Sequence, residues 1–162
     1  MIEAVVSDAD WLTTVPDPGA LAERCRAAAA AAAPALEGEA AVLFASDETV
    51  ADLNQRFRGR AGPTNVLSFP SDGDDHVGDV ALARETCVRE AVALDLSVQD
   101  HVAHLIVHGL LHLVGFTHDD DETANVMEGL ETRILSRLGV ADPYAAPYAE
   151  RAIEPDAGEP AR

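Results

Sequence analysis

Residues 97–116 read SVQDHVAHLIVHGLLHLVGF, an apolar stretch broken mainly by histidine. Ser97 with Asp100 three positions on resembles a capping box, and Gly115 is placed to end the helix that follows. Stepping about 100° per residue, His101, His104, His108 and His112 fall within about 80° of one helical face. One helix therefore presents several imidazoles in one direction, and imidazoles four residues apart stand one turn apart, near enough to share an ion through their ring nitrogens. The sequence offers two such pairs, His104 with His108 and His108 with His112. A third ligand selects between them, because an open tetrahedral zinc site takes three protein groups and keeps a fourth position for water. His118 lies just past Gly115, after a turn that can fold back over the last helical turn, and only the His108 and His112 pair is near enough to share it. The pattern His-x3-His-x5-His predicts one zinc ion per chain held by His108, His112 and His118. His104 is expected to pack beside that site as a helix-face histidine.

The flanking sequence supplies a sheet. IEAVV at residues 2–6 predicts a first strand, and Pro16, Pro18 and Gly19 mark a turn into a helix from about Ala20 to Ala33, stopped by Pro34. AAVLFAS at 40–46 predicts a second strand, after which Asp47 is expected to cap a short helix to about Phe57, followed by an arginine-rich loop. TNVLSFP at 64–70, SDGDD at 71–75 and VGDVALA at 77–83 predict strand, turn and strand, with Gly78 marking a bulge or an edge. A helix over 85–96 precedes the histidine helix, and Asp119 to Asp121 lead into a last helix closed by Gly139. The expectation is an α+β single domain over residues 1–141, with a mixed sheet of about four strands and the zinc-binding helix central. Residues 142–162 are expected to form an acidic, Pro-rich tail, partly disordered.

The charge balance bears on partners. Twenty-nine acidic against 11 basic residues give −18, which repels nucleic acid at long range, so composition alone argues against RNA, and no DNA is expected as a partner. Every basic residue is arginine, and Arg56, Arg58 and Arg60 form the one concentrated positive patch. No apolar run approaches the ~18 residues of a membrane span, and MIEAVVSDADW has no basic leader, so the expected location is the cytoplasm. Cys25 and Cys87 lie in no metal or redox motif and are expected as reduced, partly buried thiols.

The stretch HGLLHLVGFTH resembles the HGxLHLxGyDH signature of the YbeY family at His108, Gly109, Leu111, His112, Leu113, Gly115 and His118. LNQRFRGRAGPTNVLSFP is similar to the family's LNxxYRxxDxPTDVLSFP segment, VGDVALA to its LGDIxIS strand, and DPYAA to its DPY ending. The resemblance runs from about Leu53 to Tyr144. It implies three-histidine zinc binding and a fold related to zinc metallopeptidases. It also implies single-strand-specific RNA cleavage in maturation of the small-subunit ribosomal RNA end and in ribosome quality control, with RNA and the small subunit as partners. Thr117, Asn65 and Ala61 each stand where the family pattern has aspartate: at Thr117 a carboxylate that would orient His118 is missing, with Asp119 or Asp120 as the expected substitute, and at Asn65 and Ala61 the arginine loop loses the family's polarisation.

Three neutral imidazoles on zinc lower the pKa of a bound water to about 7, which makes hydrolysis the natural reaction. In HExxH peptidases a glutamate after the first histidine takes the water's proton, and here that position is Gly109. A phosphodiester gains more from cations that neutralise the transferring phosphorus, and Arg58, aligned with the arginine of the family's YR element, is the expected phosphate clamp. Two alternatives stand beside the endoribonuclease: a zinc hydrolase of peptides or small substrates, and a non-catalytic ribosome assembly factor stabilised by zinc.

Overall fold

A computed structural model describes residues 2–60, 62, 64–73 and 75–144. Among them the elements run β1 (Ile2–Val6), α1 (Trp11–Thr14), α2 (Pro18–Ala32), β2 (Glu39–Ala45), α3 (Asp47–Arg58), β3 (Val66–Pro70), β4 (His76–Ala83), α4 (Arg84–Ala93), α5 (Val98–Leu113) and α6 (Asp121–Arg137), with a 3-10 turn at Pro34–Glu37. The sheet order is β1-β2-β4-β3; β1, β2 and β4 are parallel, and β3 returns antiparallel on β4 as an edge strand. This is the expected single-domain α+β fold with a four-stranded mixed sheet and a central histidine helix.

Strand periodicity sorts the sheet residues between two layers. Val42, Phe44, Val66, Val80 and Leu82 join the core that α2, α5 and α6 build on one face, whereas Ala45, Leu67, Ala81 and Ala83 pack with Val50 and Leu53 of α3 on the other. Helix α5 is buried at every position from His101 to Leu113, between the sheet and its helical neighbours. Leu105, Ile106, Leu110 and Leu111 lie fully inside, each contributing roughly 1.5–3 kcal/mol of transfer free energy. Gly109 lets α5 sit close to the sheet: a Cβ there would lie 2.9 Å from Val80 Cγ1 and 3.2 Å from Ser68 Oγ. The Ser68 hydroxyl uses this approach to donate to the Gly109 carbonyl at 2.9 Å, tying edge strand β3 to the middle of the helix. At Gly78, φ is +152° and a Cβ would fall 2.6 Å from the Phe69 carbonyl; the β2–β4 register shifts beside it, the irregularity expected there.

Local details depart from expectation in two places. Ser46, not Asp47, caps α3, its hydroxyl accepting from the Thr49 amide at 3.2 Å. Asp47 accepts instead from the amide and hydroxyl of Thr86, both at 2.9 Å, and its own amide donates to Glu85, so it joins α3 to α4. The arginine-rich segment is not all loop either: Arg56 and Arg58 occupy the last turn of α3, where cations suit the helix dipole, and Gly59 ends it with φ +68°. Ser97 caps α5 as expected, and Asp120 opens α6 in a capping box with Thr123. Residues 145–162, most of the expected tail, lie outside the described residues, as does Ala61.

Candidate metal centre

The last two turns of α5 carry His108 and His112, and the turn after it, through Gly115 with φ +99°, brings His118 back against them. One nitrogen from each ring lies within 4.8 Å of the other two. The His108 and His112 Nε2 atoms face each other at 3.0 Å, and His118 Nε2 is buried with no hydrogen-bond partner among the described residues. Burial, reinforced by the neighbouring His108 and His118 rings, pushes the His112 pKa down to about 3, so its lone pair is available at neutral pH. Three converging imidazole nitrogens, one of them an orphaned buried acceptor, fit a divalent transition metal; imidazole sets of this kind suit zinc, copper, iron or nickel.

Behind the triad lies a carboxylate that sequence reasoning missed. Glu131 of α6 is fully buried, and its carboxylate accepts from His108 Nδ1 at 3.2 Å and from His104 Nε2 at 2.7 Å. Tyr144 completes the group, its hydroxyl donating to both Glu131 oxygens at 3.0 and 3.1 Å. Burial works to raise the Glu131 pKa, but the His108 and His104 rings outweigh it and hold the carboxyl well below its usual range. Burial and the Glu131 charge push the Tyr144 hydroxyl far above its usual value, so it stays a donor. A signal was present: Glu131 falls four residues after Met127 and between Leu130 and Ile134 on the buried stripe of α6, where a carboxylate is stable only if something behind the stripe bonds it.

The four-histidine face of α5 therefore divides. His108 and His112 join His118, His104 turns to Glu131, and His101 pairs with Glu90 of α4 at 2.9 Å. Asn65 also reaches Glu90, its amide donating at 3.0 and 3.3 Å, so a side chain that replaces the family's aspartate serves here as the donor to a carboxylate. Asp120, one of the two expected orienting groups for His118, is taken up by capping α6, accepting from the Thr123 amide at 2.8 Å. Arg58 is half-buried at the end of α3, the helix on the other face of the sheet, and the segment after it leads into edge strand β3. Arg56 is exposed and pairs with Asp52 at 3.3 Å. Cys25 and Cys87 are buried thiols; burial pushes Cys25 up to about 12 and raises Cys87 well above its usual value. No helix among the described residues is long and apolar enough to cross a membrane.

Comparison with known proteins places this geometry among relatives. Residues 18–139 match the family model described as Endoribonuclease YbeY. Among curated relatives, Endoribonuclease YbeY of Maricaulis maris is 46% identical over 145 residues, covering 88% of this chain and 91% of its own. The protein of the same name from Sphingopyxis alaskensis is 50% identical over 132 residues, covering 74% of this chain and 77% of its own. The solution structure of TM1509 from Thermotoga maritima shares the fold, with a TM-score of 0.56 at 20% identity, over 86% of this chain and 92% of that one.

Proposed function

This chain belongs to the Endoribonuclease YbeY family, a family of hydrolytic nucleases, and we propose that it cleaves single-stranded RNA with zinc held by His108, His112 and His118. Its proposed setting is the cytoplasm, its substrate the end of small-subunit ribosomal RNA, and its wider role ribosome quality control. The observation that carries the reading is the convergence of three imidazole nitrogens within 4.8 Å of one another on a buried helix and the turn beside it. A zinc ion held there would lower the pKa of water to about 7 and so supply a nucleophile at neutral pH. His108 is set for the role: its Nδ1 faces the Glu131 carboxylate and must carry the proton, which leaves Nε2 with a free lone pair toward the triad. Arg58 is the proposed phosphate clamp. What supports this role is its alignment with the arginine of the family's YR element and a planar guanidinium that can offer a bidentate fork to a phosphate.

Packing at Gly109 favours this reading over peptide hydrolysis. A peptidase of the HExxH type needs a glutamate there, and any side chain at 109 runs into Val80 and Ser68 instead of an open cleft. Among the described residues the cluster offers three ligands and not four, which supports a site open to water over a closed structural zinc. The test is elemental analysis combined with cleavage of single-stranded and duplex RNA. Wild-type protein is expected to carry one zinc and to cut the single strand, and His112→Ala to lose both. Equal zinc in the two proteins, or no cleavage by wild type with or without small ribosomal subunits, overturns the proposal.

A further inference from the structure

Glu131 is a buried carboxylate whose described partners are two imidazoles and a phenol, with no arginine among them. An ionised group in such a place costs several kcal/mol unless a positive charge answers it. The cation that fits is one carried on the far side of the His108 ring, since the His108 Nδ1 bonds the carboxylate while its Nε2 faces the other triad nitrogens. Tyr144 lies beyond the last helix, where Asp142 accepts from the Tyr144 amide at 2.9 Å and from the Thr132 hydroxyl at 3.1 Å, holding the turn that presents the phenol to Glu131. The tyrosine ring packs edge-on against His104 at 5.6 Å between centroids, so it also closes the imidazole that shares the carboxylate.

We propose that Glu131 and Tyr144 form a positioning relay, in which the segment after α6 fixes the carboxylate, the carboxylate fixes the tautomer and tilt of His108, and metal retention depends on both. The inference rests on the reading of His108, His112 and His118 as the metal site. In this relay both residues act through His108. Glu131 raises the donor strength of His108 by accepting a hydrogen bond from its Nδ1–H, and Tyr144 keeps both carboxylate oxygens bonded so that Glu131 cannot rotate away.

The experiment measures zinc affinity of the full chain by competition with a chromogenic chelator, for wild type, Glu131→Gln, Tyr144→Phe and the double variant, alongside thermal melts of the metal-free proteins. Glu131→Gln is expected to weaken zinc binding by about 10- to 100-fold, the usual loss when a group behind a ligand is changed. Tyr144→Phe is expected to weaken it several-fold with an unchanged metal-free melt, and to have no further effect once Glu131 is glutamine. That non-additivity is the signature of one relay, and a merely structural tyrosine would not produce it. Zinc affinity at the wild-type level in Tyr144→Phe, or equal losses from Tyr144→Phe in both backgrounds, overturns the proposal; if Glu131→Gln does not fold, the Tyr144→Phe affinity decides alone. His112→Ala separates the two readings. Zinc retained by that variant removes the metal site itself, whereas zinc lost by it and kept by Tyr144→Phe removes only the relay.

Discussion

At the scale of single residues, the site depends on keeping imidazoles neutral inside a protein. His112 has its pKa pushed down to about 3, chiefly by burial, against about 6.5 for the ring in water. A folded pKa below the unfolded one means that the unfolded chain binds more protons between these values, so stability falls as pH falls through that window. The metal-free protein is expected to melt at progressively lower temperature as pH drops from 7 to 5, and His112→Asn to show a shallower dependence, whatever its melting point at pH 7. Glu131 adds its own loss only below its unfolded value of about 4.5, since its folded pKa is depressed, so the range from 7 to 5 keeps that carboxylate out and the difference between the two proteins reads the His112 ring. Parallel pH slopes in the two proteins would contradict the assignment of a buried neutral ring. His101 offers the matching control: it is equally buried but bonded to Glu90, away from the triad, and its replacement should leave the zinc content at one per chain.

At the scale of elements, α5 shows what local pattern reveals and what it conceals. Its start at Ser97, its end near Gly115 and the grouping of His108 and His112 are legible in the sequence because each depends on residues within a turn or two. The cap of α3 is not, because Ser46 and Asp47 are both good caps, and the choice is made by Thr86, which lies far along the chain and claims the aspartate. Glu131 and Tyr144 escape for a related reason: Glu131 bonds His104 and His108 on α5 and Tyr144 bonds Glu131, so the buried stripe of α6 marks a carboxylate that needs partners without saying which they are. Two of the helical glycines, Gly109 and Gly129, make the distinction testable. A Cβ added at Gly129, on the exposed face of α6, would meet nothing within 4 Å, so Gly129→Ala is expected to gain about 1 kcal/mol of helix propensity. Gly109→Ala makes the same local gain but drives a methyl to 2.9 Å from Val80, an overpacking that costs about 1–3 kcal/mol and reverses the sign. Thermal melts of the two variants check this, and a rise in both would mean that α5 is less tightly seated on the sheet than its contacts indicate.

At the scale of the whole molecule, a chain of net charge −18 must meet a polyanion, and the three arginines between 56 and 60 are where it can do so. They do not have equal parts to play. Arg56 is exposed and already shared with Asp52, a surface pair worth no more than about 1 kcal/mol, and Arg60 lies exposed past the end of the helix. Both are placed to draw RNA in from solution, an attraction that salt screens over about 10 Å at ordinary ionic strength. Arg58 is half-buried between them, so a contact it makes with phosphate is made at close range and with less water around it. Arg58→Ala is therefore expected to lower single-turnover cleavage by about a hundredfold or more at saturating RNA, with zinc content unchanged and little dependence on salt. Arg58→Lys should restore part of the rate, because an ammonium keeps the charge but loses the bidentate fork. Arg56→Ala and Arg60→Ala should instead weaken RNA binding a few-fold at low salt and have less effect as salt rises, with the rate on bound RNA preserved. Cleavage and binding of one single-stranded RNA at two salt concentrations distinguish these outcomes. If Arg58→Ala cuts bound RNA as fast as wild type, the arginine belongs to the approach and not to the chemistry, and the triad must act without it.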